Sequence, residues 1–551
     1  MTELMPSLRG AEIMRRFASL EIERAPYETV WNEITTFVLP SRGSYTYSPG
    51  TTNVERKSKR KLDSAATYAH RSLVSRIIAE FTNPGTRWFE YRAPEPDIDK
   101  LYHVRAFLQK KSDEVHQKLR ENVFSLAHSE VLADWCAYGT ACMMAEDRGK
   151  KGYTWTSVSP SEIWIAENNE NEVDCIYRKY QLTYKQLCEE FGTENIDIEI
   201  HRGCEATPHK KLDILHAVEP NSSYDPQKKS SKNFRYRSTF ILVQDQSVLR
   251  EGSFKRKPYI VFRFWKRTNE AYGGSPAIDA LADIRLLNVL TDIHLRAAQL
   301  AVAPPQGLAH DSVIAPLKLI PYGINYGAIT SDGKRLVDNI LQGNLNLRDL
   351  ESLMQKIEKR IYSSFFVDPL MNREGSIRTA AEVGKRSNEE LTGLAPFLNR
   401  VDHEYLSVVL DMMLEYVLAD SDDPVPKELN GLTASIEYTG PLAKTQRGEE
   451  LNNNLQFAQI AQAVGGVNPT LLENVDWNAW LRNVADLLGI PMEVIRSPEF
   501  MQQMEQAKAQ QAQQQQMLQA AQGAASTLTD AAKAGLVSRG DLGLPELPKG
   551  V

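Results

Sequence analysis

Residues 327–335, GAITSDGKR, hold the ingredients of a phosphate loop: two glycines to turn backbone amides towards an anion, a lysine, and a position for a magnesium-binding hydroxyl. The spacing defeats that reading. Five residues separate Gly327 from Gly333 where the motif needs four, and Arg335 stands where Ser or Thr belongs, so the stretch reads as a turn. Residues 419–424, ADSDDP, gather carboxylates that could attract calcium, but they lack the glycine and distal Glu of an EF-hand loop. They read as a solvated acidic loop. Cys136, Cys142, Cys175, Cys188 and Cys204 form no CxxC and have no His pair at zinc-finger spacing, so free thiols are expected. The densest basic run, ERKSKRKLDS at 55–64, has no interleaved aromatics; it reads as a solvated loop, with phosphate binding as the alternative. No GxSxG elbow, HExxH pair or GxGxxG fingerprint occurs, and the ten histidines are scattered. No catalytic, cofactor-binding or metal site follows from these residues. The chain reads as a non-enzyme.

The elements around these residues are those of a large soluble protein. At 551 residues, with 42% hydrophobic and 25% charged residues and a mean hydropathy of −0.40, the chain is long enough for several domains with their own cores. No run of 18 apolar residues and no charged-then-apolar leader occurs, so neither a membrane span nor a secretory signal is expected, and the surroundings should be cytoplasm-like. A net charge of −7 argues against a tight, whole-surface grip on nucleic acid, which depends on many Lys and Arg contacts to phosphate.

Leu8 to Leu39 reads as two helices parted at Arg24-Ala25-Pro26-Tyr27, because Pro26 disfavours a helical Ala25 and suits the first turn of a new helix. Residues 101–147 read as helix, and 153–265 contain strand-like stretches such as SEIWIA, CIYRKY, LDILHAV, STFILV and YIVFRFW. Long helices follow. The first is capped by Ser275 with Pro276 in its first turn, and carries Ile278, Leu281, Leu286, Val289, Ile293, Ala297 and Leu300 as an apolar stripe until Pro304-Pro305. The second begins near Asn346 with Leu350, Leu353, Met354, Ile357, Ile361 and Phe365 on one face. Residues 304–345 between them, with short strand candidates, suggest an antiparallel stalk with a small module at its tip. A third helix starts at a Thr379-Ala380-Ala381-Glu382 capping box and continues past Gly393 and Pro396, where it should bend. The tail from 449 is helical in pattern, Gln-rich over 501–522, with disorder expected after Gly523. The fold class is α+β, predominantly α-helical.

The order of the pieces ERAPYETVW, LDSAATYAHRSLVSRIIAEFTNPGTRWFEY, YGGSPAIDALADIRLLN, RTAAEV with LAPFLNRVDHEYL, and GPLAKTQRGEELNNN resembles the portal, or head-to-tail connector, proteins of short-tailed bacteriophages, from about residue 10 to 500. The resemblance implies a closed ring, usually of twelve copies, at one capsid vertex, through which double-stranded DNA enters in packaging and leaves in ejection. It implies a wing at 1–270 with 379–445, a stem at 276–303 and 346–366, a clip at 304–345, a tunnel loop at 367–378 and a crown over 446–525. Residues 526–551 would be a disordered tail. Asn372, Arg373 and Glu374 would face the DNA. The implied partners are other copies of the chain, DNA, terminase, major capsid and scaffolding proteins and a tail adaptor. No membrane contact is implied, and the location would be the virion, after assembly in the host cytoplasm. A separate terminase would supply the ATPase, in keeping with the failed phosphate loop, and an acidic chain lets a polyanion slide. Two other readings stand beside it: another ring-forming neck or scaffold protein, and an enzyme acting on nucleic acid through 55–61 and 420–423.

Overall fold

The computed structural model describes residues 8–40, 61–121, 123–149, 152–192, 196, 201–203, 207–225, 233–302, 306–308, 337–339, 347–367, 393–394, 396–421, 423–429, 432–439, 441–467, 475–488, 490, 494 and 498–533. Along the chain come helices α1 (Leu8–Phe37) and α2 (Ala65–Glu80), strand β1 (Phe89–Arg92), and helices α3 (Tyr102–Glu121) and α4 (Phe124–Tyr138). Strands β2 (Thr140–Asp147), β3 (Tyr153–Val158), β4 (Ile163–Glu167) and β5 (Val173–Thr183) lead to helix α5 (Tyr184–Phe191) and strands β6 (Lys211–Pro220), β7 (Tyr236–Leu242), β8 (Ser247–Phe254) and β9 (Tyr259–Arg263). Helix α6 (Leu281–Val302), strands β10 (Gln306–Leu308) and β11 (Val337–Asn339), and helices α7 (Leu347–Ser364) and α8 (Ser407–Asp420) follow. Strand β12 (Ser435–Tyr438) and helices α9 (Pro441–Val467), α10 (Trp477–Leu487) and α11 (Pro498–Lys533) complete the order. The chain divides into two compact units, Met1–Phe89 with Lys111–Asp423 and Tyr438–Ala443, and Glu90–Lys110 with Pro424–Glu437 and Lys444–Val551.

In the first unit α1 runs unbroken through Pro26, which corrects the expectation of two helices. The carbonyl that Pro26 leaves without an amide is that of Ile22, a residue 76% exposed, so water can take it. The neighbouring Arg24 is buried and ties the helix down just before the proline. Its guanidinium donates to the carbonyls of Ile163 at 2.6 Å and Ser161 at 2.9 Å and lies 4.0 Å over the Trp164 ring.

Strands β4 to β8 form one antiparallel sheet in chain order. Alternation decides its two faces. Trp164, Tyr177, Leu215 and Ile241 pack on Ile13, Phe17 and Leu20 of α1, while Leu212, Ile214, Phe240 and Leu242 pack on Tyr184 and Leu187 of α5. The second sheet, β3-β2-β9, holds Thr140–Asp147, which corrects the helical reading of residues 101–147 over its last part. Gly139, at φ +79°, ends α4, and Thr140 to Met143 are buried on both faces, so no strand-like alternation was available to read. A side chain at Gly139 would place Cβ 2.4 Å from the Gly273 carbonyl, and one at Gly274 would meet the Trp265 indole at 2.0 Å. This close approach explains the paired glycines before Ser275.

In the second unit β1 pairs with β12. Arg92 is buried there among Glu90, Asp99 and Glu437, at 3.4, 3.3 and 2.8 Å. Its C-terminal part is helical, and α11 continues to Lys533, which corrects the expectation of disorder for residues 526–533. Alanines at 520, 521, 524, 525, 531 and 532 carry strong helix propensity across the expected break.

Candidate functional site

The paired helices α6 and α7 are the part of the first unit on which the functional expectation rests. A single helical turn, Pro276–Asp279, precedes α6 and ends at Ala280, so the expected helix is two segments. Ser275 begins it: fully buried, its hydroxyl accepts from the Ile278 amide at 3.1 Å and donates to the Ala137 carbonyl at 2.6 Å.

Arg360, near the end of α7, pairs at 2.9 Å with Asp283, near the start of α6, so the two helices run antiparallel. Beyond their other ends β10 and β11 pair antiparallel, Gln306 opposite Asn339, which closes the excursion at its base. Ile357, Ile361 and Phe365 of the expected α7 stripe are buried. The expected α6 stripe is not all inward. Leu281, Ile284, Leu287 and Ala297 are buried, whereas Leu286, Val289 and Ile293 are 44%, 54% and 47% exposed. That apolar row is one helical face, turned away from the chain's own core. Neither helix carries a strong field: α6 has two Asp against two Arg, and α7 has three acids against four bases.

At the root of the pair Phe366 takes a left-handed φ of 55°, a conformation that costs a bulky residue free energy and needs support. Arg76 supplies part of it by donating to the Phe366 carbonyl at 3.2 Å. The Tyr68 ring meets Tyr362 edge to face at 6.0 Å, and the Tyr362 hydroxyl donates to Glu358 at 3.1 Å. Burial pushes the Tyr362 phenol up to about 12. The chain leaves the described residues after Val367 and returns at Gly393, where a Cβ would lie 3.8 Å from the Phe366 ring. Both ends of the interval are therefore at one place. Phe397 packs against Phe366 at 5.8 Å and Phe264 at 4.8 Å.

From Pro396 the helix runs to Asp420, and its irregularity is a π-turn at Asp402–Leu406. Three anchors hold this turn. Asp402 accepts from the Ser407 hydroxyl at 2.5 Å and from the Tyr438 hydroxyl. Glu404 accepts from the Arg263 amide at 2.8 Å and its guanidinium at 2.7 Å. Tyr405 stacks on Phe262 at 4.3 Å and bonds His128 Nδ1 at 2.8 Å.

Of the residues marked by sequence, Ser275, Pro276, Gly393 and Pro396 are described. Asn372, Arg373, Glu374, Thr379 and Glu382 lie outside the described residues, as do the 327–335 turn, residues 55–60 and Cys204. The acidic stretch at 419–424 is not simply solvated: Asp423 pairs with the buried Lys111 at 2.9 Å, and Asp420 with Lys118 at 3.8 Å. Cys136, Cys142, Cys175 and Cys188 are free, and burial pushes Cys142 up to about 12. Among the described residues no group of three His, Cys, Asp or Glu is placed to hold a metal, and no helix is long and apolar enough to cross a membrane. The Phe366–Phe397 contact joins residues far apart in the chain, so no local pattern in the sequence signals it.

Residues 10–495 match a family described as bacteriophage head to tail connecting protein. The chain is similar to the probable portal protein of Bordetella phage BPP-1, 27% identical over 493 residues with 88% of each chain covered. It is also similar to the portal protein of Salmonella phage epsilon15, 25% identical over 514 residues with 91% of each covered.

Proposed function

Because the chain belongs to the bacteriophage head-to-tail connecting proteins, we propose that copies of it close into a ring, of twelve by expectation, at one capsid vertex. Double-stranded DNA passes through the axial channel in packaging and in ejection. Terminase and a tail adaptor dock on the ring in turn, and capsid and scaffolding proteins surround it. Residues 276–303 and 346–366 act as stem, 304–345 as clip, 367–378 as the tunnel loop with Asn372, Arg373 and Glu374 towards the DNA, 1–270 with 379–445 as wing, and 446–525 as crown.

The observation that supports this best is the antiparallel α6–α7 pair. Paired strands close it beyond one end, and a segment leaves and returns at its root. The exposed row Leu286, Val289 and Ile293 gives such a pair a face for the neighbouring copy. Burying the exposed part of each side chain contributes on the order of 1 kcal/mol, repeated at every interface of a closed ring. The near-balanced charges of both helices let a polyanion move past without a deep electrostatic trap.

Mass photometry of the purified protein tests the reading. Twelve chains of 62.1 kDa weigh about 745 kDa as a closed cyclic ring, and a peak near that mass is expected. Monomers and dimers alone, at every concentration and salt, would overturn it.

A further inference from the structure

The acidic chain holds a second concentration of cations besides the run at 55–64. Residues 227–257 hold nine Lys and Arg against two acids, although the whole chain carries a net −7. Among the described residues Arg235, Lys255, Arg256 and Lys257 flank the start of β7 and the end of β8. Tyr236 and Phe254 are register partners, so the next residues outward, Arg235 and Lys255, sit on neighbouring chains about 5 Å apart. Both are exposed. Among the described residues neither has an ion-pair partner, and like charges side by side across two strands oppose each other. Arg256, also exposed, is answered by Glu415 at 3.2 Å in a half-exposed pair.

These cations are oriented rather than loose. The Lys255 ammonium lies 6.0 Å over the Phe234 ring, and that of Lys257 lies 5.8 Å over Tyr236. Lys257 also donates to the Val173 carbonyl at 2.5 Å and stands near Glu172 and Asp174, so it backs the rim from behind. The rim borders an open cleft of about 1270 Å³, whose other cations, Lys266, Arg267 and Arg400, are each paired with a carboxylate, so the uncompensated positive charge is that of the rim.

We propose that the rim of Arg235, Lys255 and Arg256 is a docking site for the phosphodiester backbone of double-stranded DNA, read without regard to base sequence. The duplex neutralises charges that the chain itself leaves opposed, and point-charge contacts of this kind position a backbone without specifying bases. This surface is on the sheet, apart from the α6–α7 pair. The inference rests on the portal reading only in taking DNA as the polyanion available.

The test is fluorescence anisotropy of the full-length protein with short duplexes of two unrelated sequences, over a range of salt, for the wild type and an Arg235→Gln/Lys255→Gln/Arg256→Gln variant. A Lys255→Arg variant and thermal melts check that folding and charge are retained. Equal affinity for the two duplexes is expected, with a loss of roughly ten-fold or more in the triple variant and a log–log salt slope shallower by about 3. Wild-type affinity in the triple variant, absence of wild-type binding at low salt, or tighter binding of poly-glutamate than of duplex would each overturn the site. Ring mass, read separately, reports on the portal proposal, so the two can fail independently.

Discussion

The rings of Phe366 and Phe397 lie 5.8 Å apart, and this pair closes the base of the interval that begins after Val367 and ends before Gly393. Phe366 sits at a positive φ, so the contact also holds a backbone conformation that a phenylalanine adopts only under constraint. Replacing Phe397 with Ala removes a half-buried ring. A loss of about 1–3 kcal/mol is expected, below the full cost of a core aromatic, read as a lower denaturant midpoint. An unchanged midpoint would mean that Arg76 alone holds the turn.

Ser275→Ala should cost more than loss of an exposed cap. The hydroxyl serves the Ile278 amide and the Ala137 carbonyl at once, and both are left without it in a buried place. A loss of about 2 kcal/mol is expected, visible as a lower melting temperature; Ser275→Thr should recover part of it if the methyl is accommodated.

Arg263 is 2% exposed between Glu404 and Glu167. Burial pulls its guanidinium down, and the two carboxylates more than offset this, so the net shift is upward. Arg263→Ala leaves Glu167 with Lys266 at 2.7 Å and Glu404 with Arg400 at 3.0 Å, so both acids keep a cation and the loss should be about 2–3 kcal/mol, that of charged hydrogen bonds rather than of a stranded charge. Glu404→Gln keeps an acceptor for the Arg263 amide and should cost less. Equal losses in urea melts would contradict this division of roles.

Buried histidines set an acid limit. Burial lowers His128 to about 4 and His216 to about 3. His128 bonds Tyr405 and Thr82, and His216 bonds Tyr259 and Ser238. As pH falls through about 6.5 the unfolded chain takes up protons that the folded chain refuses until the lower values, so stability drops across that window. Each histidine contributes about 1.4 kcal/mol per pH unit there. Urea midpoints between pH 7 and 4.5 should fall in the wild type and fall less steeply in His128→Gln. Parallel curves would remove His128 from the account.

Replacing residues 372–374 with Gly and Ser should leave ring mass intact and reduce packaged DNA. Genome length and infectivity of particles carrying the variant provide the measure, and unchanged values would remove these residues from the DNA path.

By itself the sequence determined the long amphipathic helices, the strand-rich stretch at 153–265, the Ser275 cap and the family resemblance, because period, capping chemistry and motif order are local properties of the chain. Tertiary structure decided the rest. Pro26 stays inside a helix because Arg24 is held by carbonyls of β4 and of the residues before it, contacts more than a hundred residues away in sequence. Residues 140–147 form a strand that alternation does not reveal, because the burial of Thr140 to Met143 on both faces comes from tertiary neighbours. Leu286, Val289 and Ile293 look like core in a helical period, yet which side of α6 meets α7 depends on where Asp283 finds Arg360. The cation rim at Arg235 and Lys255 arises the same way, from a strand register that brings two separate basic stretches side by side.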